Sequence, residues 1–275
     1  MRPLLAALAL TLPAVTPAFA QVAPAAVVSV DLLAGWREPD GSRVAALEIV
    51  LAPGWHTYWR VPGAAGIPPR FDWSGSDNLA SVAYEWPRPE VFERYGLRTY
   101  GFADTLVLPL RLDPHDPAAP LDLALTLDFG VCEDICVPAS AELAARLAPD
   151  AAEQGRDRIE AALAERPLSA AEAGVAGVTC GLEPSARGYE LTAEITFADA
   201  PGDTLAVLEP GQPGLWIGDP ESRTEGRTVT TRAPVEAAGA GGPVLERGAL
   251  RLTLLDADRA IDLRGCLPRA EAGVR

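Results

Sequence analysis

Leu121, Leu123, Leu125, Leu127 and Phe129 alternate with Asp122, Ala124, Thr126 and Asp128, a period of two that lays large apolar side chains along one face and leaves the other polar. This is the pattern of a strand half-buried in a sheet. Shorter stretches of the same kind precede it. Residues 28–33 and 44–51 flank Glu38-Pro39-Asp40-Gly41, whose turn-forming residues predict a hairpin. Residues 54–60, 70–73, 80–86 and 106–112 are the next strand candidates, punctuated by Pro62-Gly63 and Gly66-Ile67-Pro68-Pro69. So many short strands between residues 27 and 147 predict an immunoglobulin-like β-sandwich.

After Ala139 the period changes. The sequence is Ala-rich, Leu143, Leu147, Ile159 and Leu163 fit one helical face, and Ser169 precedes Glu172 in capping-box spacing. Short helices are expected here, acting as a connector over 148–173. Alternation returns from about Val175. Leu191, Ala193, Ile195 and Phe197 share a face, and further strand candidates follow at 204–208, 214–217, 228–231 and 250–254, with a flexible loop over 237–242. The expected fold class is all-β: two immunoglobulin-like β-sandwich domains, 27–147 and 174–270, joined by a short helical connector.

Composition says where such a fold would work. Residues 1–20 carry Arg2, an apolar run from Leu4 to Val15 and the ending Ala18-Phe19-Ala20, the layout of a secretory signal peptide cleaved after Ala20. That run is too short to span a bilayer, and no later stretch approaches the roughly eighteen apolar residues of a membrane helix. The mature protein is therefore expected to be periplasmic and not membrane-spanning. Formal net charge is -15, one unit more negative without Arg2, which argues against nucleic acid as a partner. Met1 is the single methionine and falls in the signal, so a methionine-rich copper site is not expected.

An exported chain permits disulfides, and the four cysteines divide into two kinds of site. Cys180 and Cys266 stand at the ends of the second β region. A bridge closing so long a loop stabilises by roughly 4 to 5 kcal/mol in the chain-entropy account, which fits a structural disulfide. Cys132 and Cys136 are separated only by Glu133-Asp134-Ile135. In an extended strand their Cα atoms would lie roughly 13 Å apart, well past the ~7 Å reach of a disulfide. Pairing requires a hairpin with those three residues as its loop. A ring that small constrains the unfolded chain little, which favours redox work over stapling. Glu133 and Asp134 disfavour thiolates and no arginine is near in sequence, so the pair is expected to donate or relay electrons and not to act as a strong oxidant.

Aromatic residues crowd the first domain: Trp55, Tyr58, Trp59, Trp73, Trp86, Tyr95 and Tyr100, with His56 among them. Trp73 and Trp86 read as core. The others read either as a carbohydrate-stacking platform or as a shield over Cys132 and Cys136. His56 and His115 with the two cysteines would make a zinc set on paper, but Cys-x-x-x-Cys is a weak metal signal in an exported chain, and no metal or other cofactor is expected. His115, beside Pro114 and Asp116, reads as a solvated turn residue. The sequence has no motif of a hydrolase or a phosphate-binding loop.

Taken in order, several segments form a set. They are Gly54-Trp55-His56-Thr57-Tyr58-Trp59-Arg60, Pro62-Gly63, Gly66-Ile67-Pro68-Pro69, Glu93-Arg94-Tyr95-Gly96, Leu106-Val107-Leu108-Pro109 and Phe129-Gly130-Val131-Cys132-Glu133-Asp134-Ile135-Cys136-Val137-Pro138. The set resembles the periplasmic N-terminal domain of the thiol:disulfide interchange protein DsbD, in the variant found in copper-suppressor ScsB-type proteins. The resemblance implies an immunoglobulin-like domain with one reversible disulfide, which takes electrons from a membrane thiol reductase and passes them to periplasmic thioredoxin-like acceptors. By position it makes Cys132 and Cys136 the catalytic pair, with Cys136 forming the mixed disulfide and Cys132 resolving it. Tyr58 falls beside the disulfide. Residues 92–96 fall on a cap loop, with Phe92 and Tyr95 both candidates to shield the sulfurs. Arg94 stands where the family has a phenylalanine, and the cysteine spacing is tighter than in familiar members. No conducting transmembrane domain and no thioredoxin-like Cys-x-x-Cys unit is legible, so the electron donor is expected to be a separate protein. The contrasting expectation is a non-catalytic binding module for protein or glycan, with structural disulfides.

Overall fold

The computed structural model describes residues 26–186, 188–238 and 242–269; the expected signal peptide lies outside them. Ten strands come first: β1 (Val27–Arg37), β2 (Arg43–Leu51), β3 (His56–Gly63), β4 (Arg70–Asp72), β5 (Leu79–Tyr84), β6 (Glu90–Arg94), β7 (Leu97–Ala103), β8 (Thr105–Pro114), β9 (Leu121–Cys132) and β10 (Cys136–Leu147). They form two sheets, ordered β1-β2-β8-β5 and β10-β9-β3-β7-β6, with β4 added to β9. The alternating leucines of β9 are buried against Leu47, Leu108, Leu110 and Leu112 of the opposite sheet, and Trp59 is wholly enclosed between them. Two mainly antiparallel sheets closed on one apolar layer are the plan of an immunoglobulin-like sandwich.

The stretch after Ala139 departs from expectation. Residues 136–147 pair with β9 along their whole length, Leu143 opposite Leu125 and Leu147 opposite Leu121, so these two leucines share no helical face. Alanine's helix preference is worth only tenths of a kcal/mol per residue against a continuous ladder. One helix follows, α1 (Arg156–Ala164), whose Ile159 is fully buried against Leu33, Trp36 and Ala46 with Leu163 beside it. Ser169 and Glu172 do make the reciprocal bonds of a capping box: the Ser169 N–H donates to Glu172 Oε2 at 2.8 Å, and the Glu172 N–H to Ser169 Oγ at 3.3 Å. Only one turn grows from it, and Gly174, at φ 67°, ends it.

Nine further strands complete the chain: β11 (Val175–Ser185), β12 (Gly188–Phe197), β13 (Leu205–Glu209), β14 (Leu215–Ile217), β15 (Glu221–Glu225), β16 (Thr228–Ala237), β17 (Arg251–Leu255), β18 (Ala260–Arg264) and β19 (Leu267–Pro268). Their sheets run β14-β16-β12-β11-β19, with β15 on β16, and β13-β17-β18. Leu191, Ile195, Leu250 and Leu252 lie fully buried between them. The two halves of the chain touch. Val207, Leu255 and Ala260 join the first apolar cluster, and Arg60 of β3 reaches Glu209 and Thr253.

Candidate functional site

At the end of the sandwich, β9 and β10 meet in the loop Glu133-Asp134-Ile135. Their register sets Cys132 opposite Cys136 with Cα atoms 4.1 Å apart, joined as a disulfide. The two sulfur-bearing residues are unequal. Cys132 is buried, 6% exposed, whereas Cys136 is open to solvent beside Ile135, itself 74% exposed.

Strand β3 supplies the floor beneath them. His56 pairs with Cys132 and Thr57 with Val131. Because side chains alternate along a strand, Trp59 enters the core while His56 and Tyr58 share the other face with the disulfide. Tyr58 is 1% exposed and its Oη donates to Cys136 Sγ at 2.8 Å. Two glycines make room for its ring. A Cβ on Gly130 would lie 2.8 Å from Tyr58 Cδ2, and one on Gly66 would lie 2.8 Å from Tyr58 Cδ1. Burial pushes the phenol above its ordinary pKa, so Tyr58 stays a proton donor across the physiological range.

Strands β6 and β7 form a hairpin that covers this floor. Its two-residue turn is Tyr95-Gly96, with φ 53° and 75°, the left-handed pair that such tight turns require. Phe92 stacks on His56, ring centroids 4.3 Å apart and planes 16° from parallel. Arg94 ties the tip of this hairpin to the tip of the cysteine hairpin through Asp134, Nη1 to Oδ1 2.5 Å. Tyr95, by contrast, is 92% exposed. Of Phe92 and Tyr95, Phe92 is the one turned inward, and it rests on His56. Burial, then the charge of Arg94, depress the His56 pKa against the opposing pull of Glu90, so the ring under Phe92 is neutral.

Sequence reasoning missed His56 as the ring on which Phe92 stacks, although its spacing of two from Tyr58 places both on one face. The Cys132–Cys136 loop, acidic and without a cation near in sequence, is compensated in the fold. Arg94, distant in sequence, supplies the missing cation. The aromatic belt divides: Trp59, Trp86 and Tyr100 are core, Trp73 donates to Tyr84 Oη at 2.9 Å at the core's margin, and Tyr58 reaches a sulfur. His115 is exposed in the turn after β8. Among the described residues, no three of His, Cys, Asp and Glu converge as metal ligands, and no helix is long and apolar enough to cross a membrane. Cys180, fully buried in β11, is bonded to Cys266.

Residues 23–148 match the family described as thiol:disulfide interchange protein DsbD, N-terminal. This segment belongs to the DsbD N-terminal family. It takes in β1 to β10 and with them every residue of the site above, so the cysteine hairpin and its cap lie within a DsbD-type thiol-disulfide interchange domain. Among solved structures, the N-terminal periplasmic domain of ScsB from Proteus mirabilis superposes with a TM-score of 0.65 at 22% identity, over 85% of this chain and 91% of that one. At that identity the likeness is one of fold, and it extends past the DsbD segment into the second half. Among curated proteins, none matches the chain.

Proposed function

We propose that the protein is a periplasmic thiol-disulfide interchange protein, relaying electrons to partner disulfides through Cys132 and Cys136. The observation that carries this reading is the inequality of the pair: Cys136 is open to a partner, and Cys132 is held behind it, 6% exposed. In the reduced protein, the Cys136 thiolate attacks a partner disulfide. The partner's S–S bond breaks, one of its sulfurs leaves as a thiolate, and the other is joined to Cys136. Cys132, once deprotonated, attacks Cys136 Sγ, displaces the second partner thiolate and remakes the internal disulfide. Two electrons pass to the partner, and its sulfurs take up the two protons that the cysteines release.

Recharging by a membrane thiol reductase runs the same steps in reverse, and the acceptors are periplasmic thioredoxin-like proteins. Tyr58 steadies Cys136, and Phe92 on His56 limits access to the pair. Residues 27–147 form the exchange unit, 148–173 the connector and 174–270 a second sandwich stapled by Cys180 and Cys266. The test is trapping. Cys132→Ala is expected to accumulate dithiothreitol-sensitive mixed disulfides with periplasmic proteins, and Cys136→Ala is not. If Cys136→Ala captures the same partners, or if the Cys132–Cys136 bond resists dithiothreitol while the fold is intact, the pair is a staple and the reading fails.

A further inference from the structure

Strand β6 is the last of its sheet, so one of its edges has no neighbour among the described residues. The turn makes Arg94 and Leu97 the closing pair, and the register continues through Glu93 with Arg98, Phe92 with Thr99, and Val91 with Tyr100. In an antiparallel hairpin with a two-residue turn, alternate residues starting from the closing pair exchange both main-chain bonds. Arg94, Phe92 and Glu90 therefore aim their N–H and C=O groups at β7. Val91 and Glu93 aim theirs away from it, at the free edge.

Those two residues are also the members of β6 that line a groove of about 830 Å³ between the cap hairpin and the second half of the chain. Its far wall carries Asp203, Asp219 and Glu221, none of them in an ion pair among the described residues, while Arg98 on the near wall is held by Glu93. The near wall offers half-exposed Val91 and Leu97. The free edge of β6 and the groove beside it thus bring open main-chain donors and acceptors, an apolar strip and a surplus of negative charge to one side of the hairpin. An extended segment with basic side chains meets all three.

We propose that this groove binds an extended, arginine- or lysine-bearing segment of the exchange partner, added as a strand to the free edge of β6. Its cations face Asp203, Asp219 and Glu221, and its main chain bonds Val91 and Glu93. The same strand holds Phe92 on His56 and Arg94 on Asp134. A segment seated on this edge therefore grips the cover of the disulfide. Naming the exchange partner as the owner of the segment rests on the redox reading above; strand addition itself does not.

The probe is a fluorescein-labelled, end-capped heptapeptide of alternating arginine and valine, read by fluorescence anisotropy against the full chain with its disulfides intact. A fully N-methylated copy keeps the charge and loses the main-chain donors. The unmethylated peptide is expected to bind at least tenfold more tightly than the methylated one, and to lose at least tenfold on Val91→Pro and on the double variant Asp219→Arg/Glu221→Arg. The second variant lies on the far wall, so it tests the groove without touching β6. Saturating peptide is expected to speed dithiothreitol reduction of Cys132–Cys136 several-fold. Equal binding of the methylated copy, or unchanged binding by the far-wall variant, overturns the proposal as mere attraction to an acidic protein. Edge-specific binding to a chain whose disulfide proves inert would defeat the exchange reading and leave strand addition standing. Active exchange without edge-specific binding would do the reverse.

Discussion

Tyr58 donates its phenolic proton to Cys136 Sγ across 2.8 Å, from a ring slotted between Gly66 and Gly130. A sulfur in a disulfide is a weak acceptor and a thiolate a strong one. The bond therefore favours the reduced, ionised Cys136 over the oxidised pair. Tyr58→Phe removes a hydrogen bond to a charged group, worth roughly 1.5 to 3 kcal/mol. Measured at a pH where the thiolate predominates in both parent and variant, the reduction potential is expected to fall by roughly 30 to 60 mV. The reduced Cys136 thiol is expected to ionise at higher pH than in the parent. Equilibration against a dithiol buffer and the pH profile of alkylation measure the two effects. An unchanged potential would show that the contact does not persist in the reduced state.

Gly130→Ala should reproduce that shift by a different route. The added methyl would meet Ile67 Cβ at 2.6 Å and the Tyr58 ring at 2.8 Å, so the ring must leave its slot. Overpacking of this kind costs about 1 to 3 kcal/mol. Urea denaturation is expected to show that loss, together with a potential shift in the same direction as Tyr58→Phe.

The cap has two fastenings of unequal strength. The Arg94–Asp134 pair is exposed, 52% and 79%, and contributes at most about 1 kcal/mol, which salt screens. Phe92 stacks on a buried ring, and its removal forfeits burial as well as stacking. Arg94→Gln is expected to raise the rate of dithiothreitol reduction of Cys132–Cys136 by less than about fivefold and to abolish its salt dependence. Phe92→Ala is expected to raise that rate by more than about tenfold. A reversed ranking would place control of access at the tips of the hairpins and not at the ring.

How far the sequence reached follows from what each signal depends on. The leucines of β9 and the spacing of Cys132 and Cys136 are local, and both the sandwich and the closed hairpin were legible from them. Leu143 and Leu147 misled because four is a multiple of two as well as close to a helical turn. Ala139, Ala141 and Ala145 complete the strand's period but are too small to announce it. Strand β6 was unreadable because Glu90–Arg94 is short, mostly polar and exposed, and is held as a strand by pairing with β7. The contacts of Arg94 with Asp134 and Phe92 with His56 join hairpins distant in sequence, and only the assembled sheet brings them together.

Neutral His56 gives the fold a pH dependence of defined sign. Its pKa is depressed in the folded protein by burial first and Arg94 second, so the unfolded chain takes up the proton more readily. The stabilisation is fully present above the ordinary value of about 6.5 and is lost as pH falls through it towards the lower, folded value. Between pH 7.5 and 5 the urea midpoint of the parent is expected to fall more steeply than that of His56→Gln. Parallel profiles would mean that His56 is protonated as easily in the fold as outside it.

Arg60 links β3, two residues beyond Tyr58, to the second half of the chain. Its Nη2 lies 2.9 Å from Glu209 Oε1 and 2.8 Å from Thr253 Oγ1, and its guanidinium sits 3.7 Å above the centre of the Trp59 ring. Burial works against the cation, and Glu209 and Asp262 work for it. The side chains are 12% and 22% exposed, so breaking the pair costs less than the 3 to 5 kcal/mol of a fully buried one, about 1 to 3 kcal/mol. Arg60→Met leaves Glu209 with Arg251 at 3.9 Å as its remaining basic neighbour among the described residues. Arg60→Met/Glu209→Met, which removes both charges, is expected to be more stable than the sum of the two single losses predicts, because each single change strips the other charge of its nearest partner, leaving Glu209 with Arg251 at 3.9 Å and Arg60 with Asp262 at 3.8 Å. Strict additivity in urea denaturation would mean that the two halves are held by their shared apolar contacts, Val207, Leu255 and Ala260, with no coupling through Arg60.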